Sequence, residues 1–160
     1  MGIKNEVQIR YAVRSDADVM MLLIKELALF ENAPEEVTVS MDHFVESGFG
    51  PEPVWWALVA VIPASEGRSE QIIGFALYYI RYSTWKGRRL YLEDLIVNEA
   101  WRGKGIGTLL MDALILEAKK SGKFSGMMWQ VLDWNEPAIK FYEKYNAQFD
   151  GSWINVSLTV

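Results

Sequence analysis

A glycine-rich basic run and a pair of adjacent carboxylates are the residues here whose types and spacing can do chemistry. The run is Arg102-Gly103-Lys104-Gly105-Ile106-Gly107, between the apolar stretch Leu90 to Val97 and the amphipathic stretch Thr108 to Leu116. Glycines at a strand-to-helix turn let a ligand approach bare backbone, and the helix N-terminus behind them offers unpaired N–H groups and a positive dipole end. Arg102 and Lys104 add full charge, so the turn is suited to phosphates. The carboxylates, Glu93 and Asp94, lie on the strand that leads into it.

The spacing narrows the choice of ligand. A Walker loop needs Ser or Thr after Gly-Lys, and here Gly105 follows Lys104. A dinucleotide fingerprint needs Gly-x-Gly-x-x-Gly, and the run reads Gly-x-Gly-x-Gly. It does fit Arg/Gln-x-x-Gly-x-Gly/Ala through Arg102, Gly105 and Gly107, and so resembles the pyrophosphate loop of the GNAT acetyltransferases. Taken alone, the run is equally compatible with an ordinary glycine-rich helix entry.

Composition removes other chemistries. The chain has 160 residues, 51% of them hydrophobic, which is ample for one core and predicts a single domain over residues 1–160. Cysteine is absent and His43 is the only histidine, so disulfides, a thiolate nucleophile and a multi-histidine metal site are excluded. There is no Gly-x-Ser-x-Gly elbow. The segment Met1 to Val7 lacks a signal-peptide apolar core, Glu6 stands where a myristoylation motif wants Ser or Thr, and Val54 to Ile62 is too short to span a bilayer. A soluble cytoplasmic protein is expected. The formal net charge of −5, with no basic stripe, disfavours nucleic acid and suits a cationic small molecule.

The elements that must position these groups follow from periodicity. Val7, Ile9 and Tyr11 alternate as a strand. Ser15 is positioned to cap a helix carrying Val19, Met20, Leu22, Leu23 and Leu27. A short helix is expected from Met41 to Glu46, then strands over Val54 to Ile62, Gln71 to Tyr82 and Arg89 to Val97. The next helix buries Ile106, Leu109, Leu110, Ala113 and Leu116 and ends at Gly122. A strand from Met127 to Leu132, a helix from Glu136 to Tyr145 and a last strand from Trp153 to Val160 complete the chain. Three strands in succession pair antiparallel and the later β-α-β crossover is parallel. The expected class is α/β (α+β), with a mixed, mostly antiparallel sheet and helices on both faces.

Further segments extend the resemblance over nearly the whole chain: Ile24-Lys25-Glu26-Leu27-Ala28, Glu46-Ser47-Gly48-Phe49-Gly50, Ile73-Gly74-Phe75-Ala76-Leu77-Tyr78-Tyr79, Tyr91-Leu92-Glu93-Asp94, and Trp134-Asn135-Glu136-Pro137 followed by Phe141-Tyr142. In order and spacing these resemble the spermidine/spermine N-acetyltransferase branch of the GNAT family. Phe30-Glu31, Tyr82 to Arg88 and Val131 to Asn135 are more similar to its thialysine acetyltransferases. The polyamine enzymes carry Tyr-Glu at Phe30-Glu31, and an acid near the Trp matching Trp153 where this chain has Gly151-Ser152.

The resemblance implies acetyl transfer from acetyl-CoA, without a metal, to a primary amine. An alkylamine with a pKa around 10 is a cation at neutral pH; the site must bind it, remove a proton and present the free amine to the thioester. Carboxylates serve the first two tasks. Neighbouring strand residues point to opposite faces, so Glu93 is favoured as base or anchor and Asp94 faces the substrate only if a bulge intervenes; the pair also reads as a polar strand end. The resemblance further implies that the backbone of Leu95, Ile96 and Val97 binds the pantetheine arm, with Gly103, Lys104 and Ile106 in the phosphate loop. It likewise implies that Asn135 and Pro137 stand beside the cofactor, and that Tyr142 protonates the departing thiolate and also touches the cofactor. Phe141-Tyr142 on its own fits aromatic packing equally well.

Phe30, Glu31 and Trp85 are candidates for the amine pocket, with Met128, Trp129 and Gln130 on the opposite wall. Trp85 equally suits a turn cover, and Met128 to Gln130 an interior strand. His43 has no assigned role. The resemblance also implies a homodimer. Direct transfer to thialysine, a diamine or a polyamine in a ternary complex leads; a protein lysine or N-terminal acetyltransferase and a CoA-binding sensor without turnover are the alternatives.

Overall fold

The computed structural model describes residues 6–159. Met1 to Asn5, where the expectation of no signal segment partly falls, and Val160, the end of the expected last strand, lie outside them. Contacts divide the described chain into two compact units that meet between Trp129 and Gln130. Among the described residues no helix is long and apolar enough to cross a membrane.

The first unit is a five-stranded sheet in the order β1 (Gln8–Tyr11), β2 (Trp56–Ile62), β3 (Gln71–Ser83), β4 (Gly87–Val97) and β5 (Met127–Met128). The first three pairings are antiparallel and β4–β5 is parallel. Alternation along β2 divides the core. Ala57, Val59 and Val61 join Phe75, Leu77 and Ile96 against α1 (Ala17–Phe30) and α2 (Met41–Phe49). The opposite face packs on α3 (Ile106–Lys120), whose Ile106, Leu110, Met111 and Leu114 are fully buried. Under α2, Trp55 stacks on Phe44 at 4.7 Å and meets Phe49 edge-on at 5.2 Å.

The element order agrees with the sequence reading as far as α4; five corrections follow. Ser15 does not cap α1: it lies in a 3-10 turn, Arg14–Asp16, and the buried Asp16 organises that corner. Asp16 accepts from Arg10 at 2.7 Å and from the Val13 N–H at 2.8 Å. Leu22 points outward, because Met21 shares the buried stripe with Ala17 and Met20. On α3, Leu116 is likewise exposed, and Leu109 and Ala113 are only partly buried; the stripe follows the i, i+4 row from Ile106 to Ala118. The strand expected from Met127 to Leu132 stops at Met128, since β5 pairs with Leu90 and Tyr91 alone before β4 bulges. Residues 151–159 form no strand: their alternation suits a ladder, but a strand exists only with a partner to bond to.

The second unit holds α4 (Glu136–Glu143). Asn135 caps it, its side chain accepting from the Ala138 N–H at 3.3 Å, and Pro137 sits in the first turn, where a missing N–H costs nothing.

Candidate active site

The register between β3 and β4 decides where the carboxylates point. Leu77 pairs with Asp94 and Tyr78 with Leu92, so β4 carries one extra residue, a bulge at Glu93. Backbone hydrogen bonds show its effect. The Leu90 N–H bonds to Gly126 on the β5 side, whereas the Asn98 N–H bonds to Ile73 on the β3 side. An even spacing that changes edge requires one inserted residue between. Side chains change face with it: Tyr91 stacks on Tyr79, and Ile96 packs in the α1 core. Glu93 and Asp94 therefore share the face of α1.

That face gathers a third acid. Glu31 is the C-terminal cap residue of α1, and burial raises its carboxyl above the usual range. Asp94 is pushed up to about 7, first by burial and then by the negative charges of Glu93 and Glu31. Three carboxylates near a helix C-terminus, itself the negative end of the dipole, make a site that favours a cation. Phe30, half-exposed, lies beside it with the Arg102 guanidinium 5.3 Å above its ring.

The glycine-rich loop is braced from behind. Arg102 Nε donates to the Val97 carbonyl at 3.0 Å, and Lys104 Nζ donates to the Ala100 carbonyl at 2.8 Å while lying over Trp101. Glu26 of α1 ties the loop to the acidic face, accepting from Asn98 Nδ2 at 2.8 Å, the Glu99 N–H at 2.7 Å and Arg102 Nη2 at 3.4 Å. Gly103 and Gly105 take positive φ values of 72° and 81°. Gly105 is the N-cap of α3, with no side chain to satisfy the first-turn N–H groups, and a Cβ on Gly103 would meet open space. Bare donors at a helix start fit a pyrophosphate.

The remaining candidates are spread along the chain. Trp85 is 89% exposed at the β3–β4 turn, about 20 Å along the ribbon from Asp94. Met128, in β5, and Trp129 are partly buried. In the second unit, Gln130 Nε2 donates to Asn155 Oδ1 at 2.7 Å, and Tyr142 is buried on α4 with Phe141 edge-on at 5.3 Å. His43 is exposed on α2, its N–H donating to the Ser40 hydroxyl. Sequence reasoning gave no role to Glu26, Tyr79 or Arg81, and nothing in their local pattern signals one.

Comparison with known proteins gives the family of the chain. The family model described as acetyltransferase (GNAT) family matches residues 24–147. A thialysine N-epsilon-acetyltransferase of Mus musculus is 41% identical over 143 residues, 88% of this chain and 84% of that protein. The Homo sapiens spermidine/spermine N(1)-acetyltransferase-like protein 1 is 34% identical over 88% of this chain, which corresponds to 20% of its own length. Among solved structures, an aminoglycoside acetyltransferase from a soil metagenomic sample, in complex with sisomicin, superposes with a TM-score of 0.75 at 17% identity, covering 99% of both chains.

Proposed function

This chain belongs to the GNAT family of acetyltransferases, and from that premise we propose that it acetylates the primary amine of a small cationic substrate: thialysine, a diamine or a polyamine. The single observation that carries this reading is the β4 bulge, which turns Glu93 and Asp94 toward Glu31 on one face. The thialysine and spermidine/spermine acetyltransferase relatives support the substrate class.

Acetyl-CoA supplies the acetyl thioester. The loop from Arg102 through Gly103, Lys104, Gly105 and Ile106 to Gly107 holds its pyrophosphate through backbone N–H groups, with Arg102 and Lys104 keeping the loop in shape. The backbone of Leu95, Ile96 and Val97 holds the pantetheine arm, with Asn135 and Pro137 as further contacts. Glu31 and Glu93 draw the ammonium in, with Phe30 beside them, and Met128 and Trp129 are further candidates for its surroundings; Trp85, about 20 Å along the ribbon, and Gln130, in the second unit, are not assigned to it. Burial lowers an ammonium pKa and raises a carboxyl pKa, so the two converge and the proton can pass to the Glu93–Asp94 pair. Asp94, near 7, is matched to that task at neutral pH. Transfer is direct, in a ternary complex; with no cysteine in the chain, an acyl-enzyme through sulfur is not available. Tyr142 protonates the departing thiolate, a phenol being able to donate without prior charge.

The test is release of CoA thiol from acetyl-CoA across thialysine, lysine, putrescine, spermidine, spermine and a lysine peptide. Turnover of the small amines is expected. Turnover of the peptide alone favours a protein acetyltransferase, and tight binding of acetyl-CoA with no turnover favours a sensor. Tyr142→Phe should lower kcat by about 10²-fold while sparing CoA affinity, as expected for loss of a general acid; an unchanged rate removes Tyr142 from the mechanism.

A further inference from the structure

The face that carries the acids continues along the β3–β4 ribbon. Its register pairs Leu77 with Asp94, Tyr79 with Tyr91 and Arg81 with Arg89. Residues two apart on a strand share a face about 7 Å from each other. An acidic row, a tyrosine row and an arginine row therefore follow one another on one surface. The tyrosine rings stack at 4.9 Å, forming a flat floor.

The arginines are arranged unlike ordinary solvated charges. Arg81 folds back over the floor, its guanidinium carbon 5.7 Å from the centroid of the Tyr91 ring and its Nη1 3.4 Å from Met128 Sδ. Arg89 lies across Gly126, where a Cβ would come within 3.3 Å of Nη2. Its Nη2 donates to the Met127 carbonyl at 2.8 Å, while its Nε is buried with no hydrogen-bond acceptor. Neither forms an ion pair among the described residues. Like charges directly opposite on a sheet repel, and a buried donor left unmatched is costly. An anion lying over the tyrosine floor would relieve both.

Resting on the acetyl-transfer reading above, we propose that Arg81 and Arg89 form a carboxylate-binding subsite, so that the acidic row takes the reactive amine while the arginine row takes the carboxylate of an α-amino acid. The reach fits. The acidic and arginine rows lie two steps of the ribbon apart, about 14 Å, and Arg81 folds back over the tyrosine row between them. Six bonds of about 1.5 Å between the terminal nitrogen and the carboxyl carbon of a lysine-like molecule extend about 7–8 Å, and a hydrogen bond of about 3 Å at each end makes up the rest. The methylene or thioether chain lies over Tyr79 and Tyr91. A diamine or polyamine of that length instead brings a second cation against two guanidiniums. The tyrosine hydroxyls register both ends: burial raises their pKa most, Tyr79 adds to this at Tyr91, Glu93 raises both further, and Arg81 lowers both.

Steady-state kinetics at saturating acetyl-CoA separate the possibilities, comparing thialysine and lysine with their decarboxylated counterparts in the wild type, Arg81→Gln, Arg81→Lys and Arg89→Gln. The wild type is expected to favour the amino acids by about tenfold or more in kcat/KM, the scale of a charge-assisted hydrogen bond. Arg81→Gln should raise KM for the amino acids by about tenfold, leave kcat unchanged and spare the diamines, with partial rescue by Arg81→Lys. Arg81 is exposed, so that comparison stands even where Arg89→Gln fails to fold. Equal use of amino acids and diamines by the wild type, or an equal KM shift for both in Arg81→Gln, overturns the subsite alone. Turnover of no amine overturns the acetyltransferase reading, and the subsite with it.

Discussion

Asp94 carries the strongest electrostatic signature on the acidic face. Its carboxyl, pushed up to about 7 by burial and by Glu93 and Glu31, holds a proton over a range where an ordinary aspartate is ionised. As a base it works only when ionised, so kcat/KM should fall as pH drops through about 7; Asp94→Asn should remove that limb and lower kcat by about 10²-fold or more. Stability should run the other way. Between roughly pH 4, the reference range for an unfolded aspartate, and pH 7, the native state binds a proton that the unfolded chain has released, so stability falls as pH rises through that window. Asn cannot ionise and escapes the loss. Asp94→Asn is therefore expected to melt above the wild type at pH 8, with the gap closing toward pH 4; thermal unfolding across pH measures it. A variant less stable than the wild type at pH 8 contradicts the assignment.

Each element of the site was legible to a different degree. The β4–loop–α3 arrangement could be read from residue types alone, because glycines at 103, 105 and 107 have few other uses between an apolar strand and an amphipathic helix. Gly105 supplies the sharpest test. Its φ of 81° costs an L-residue roughly 1–2 kcal/mol, and a shift of the backbone to relieve that strain would move the N–H donors at the start of α3. Gly105→Ala should lower Tm by a few degrees and weaken CoA binding by about tenfold, measured by calorimetry; unaltered affinity would detach the loop from the cofactor. The bulge at Glu93 was not legible, since strict alternation is the only rule a strand sequence offers, and alternation separates Glu93 from Asp94. Nor was the bracing role of Glu26, whose partners Asn98, Glu99 and Arg102 are far away in sequence. Ser15 misled for the opposite reason: a good capping residue was present, but Asp16 and Arg10 already organised the corner.

At the scale of the whole molecule, hydrophobic patterning predicted the helix and strand order well because burial enforces it; the chain end escapes that rule. Trp153, Ile154, Val156 and Leu158 are 78%, 87%, 91% and 86% exposed, although Ile154, Val156 and Leu158 alternate with polar Asn155, Ser157 and Thr159 as one side of a strand does. Within this unit the polar contacts of the segment include Trp153 Nε1 donating to Asp150 at 3.1 Å and Asn155 Oδ1 accepting from Gln130 at 2.7 Å. Contiguous apolar side chains left in water are unfavourable, and an unpaired strand-like segment invites pairing with another chain. We propose that this segment is covered in a homodimer, the assembly that the family resemblance implies. Light scattering after size exclusion should give a dimer for the full chain. Ile154→Ser combined with Val156→Ser and Leu158→Ser should give a monomer that keeps the circular dichroism of a folded α/β protein, because none of the three contributes to the buried core. A wild-type monomer would overturn the dimer, and a triple variant that stays dimeric would place the association surface elsewhere.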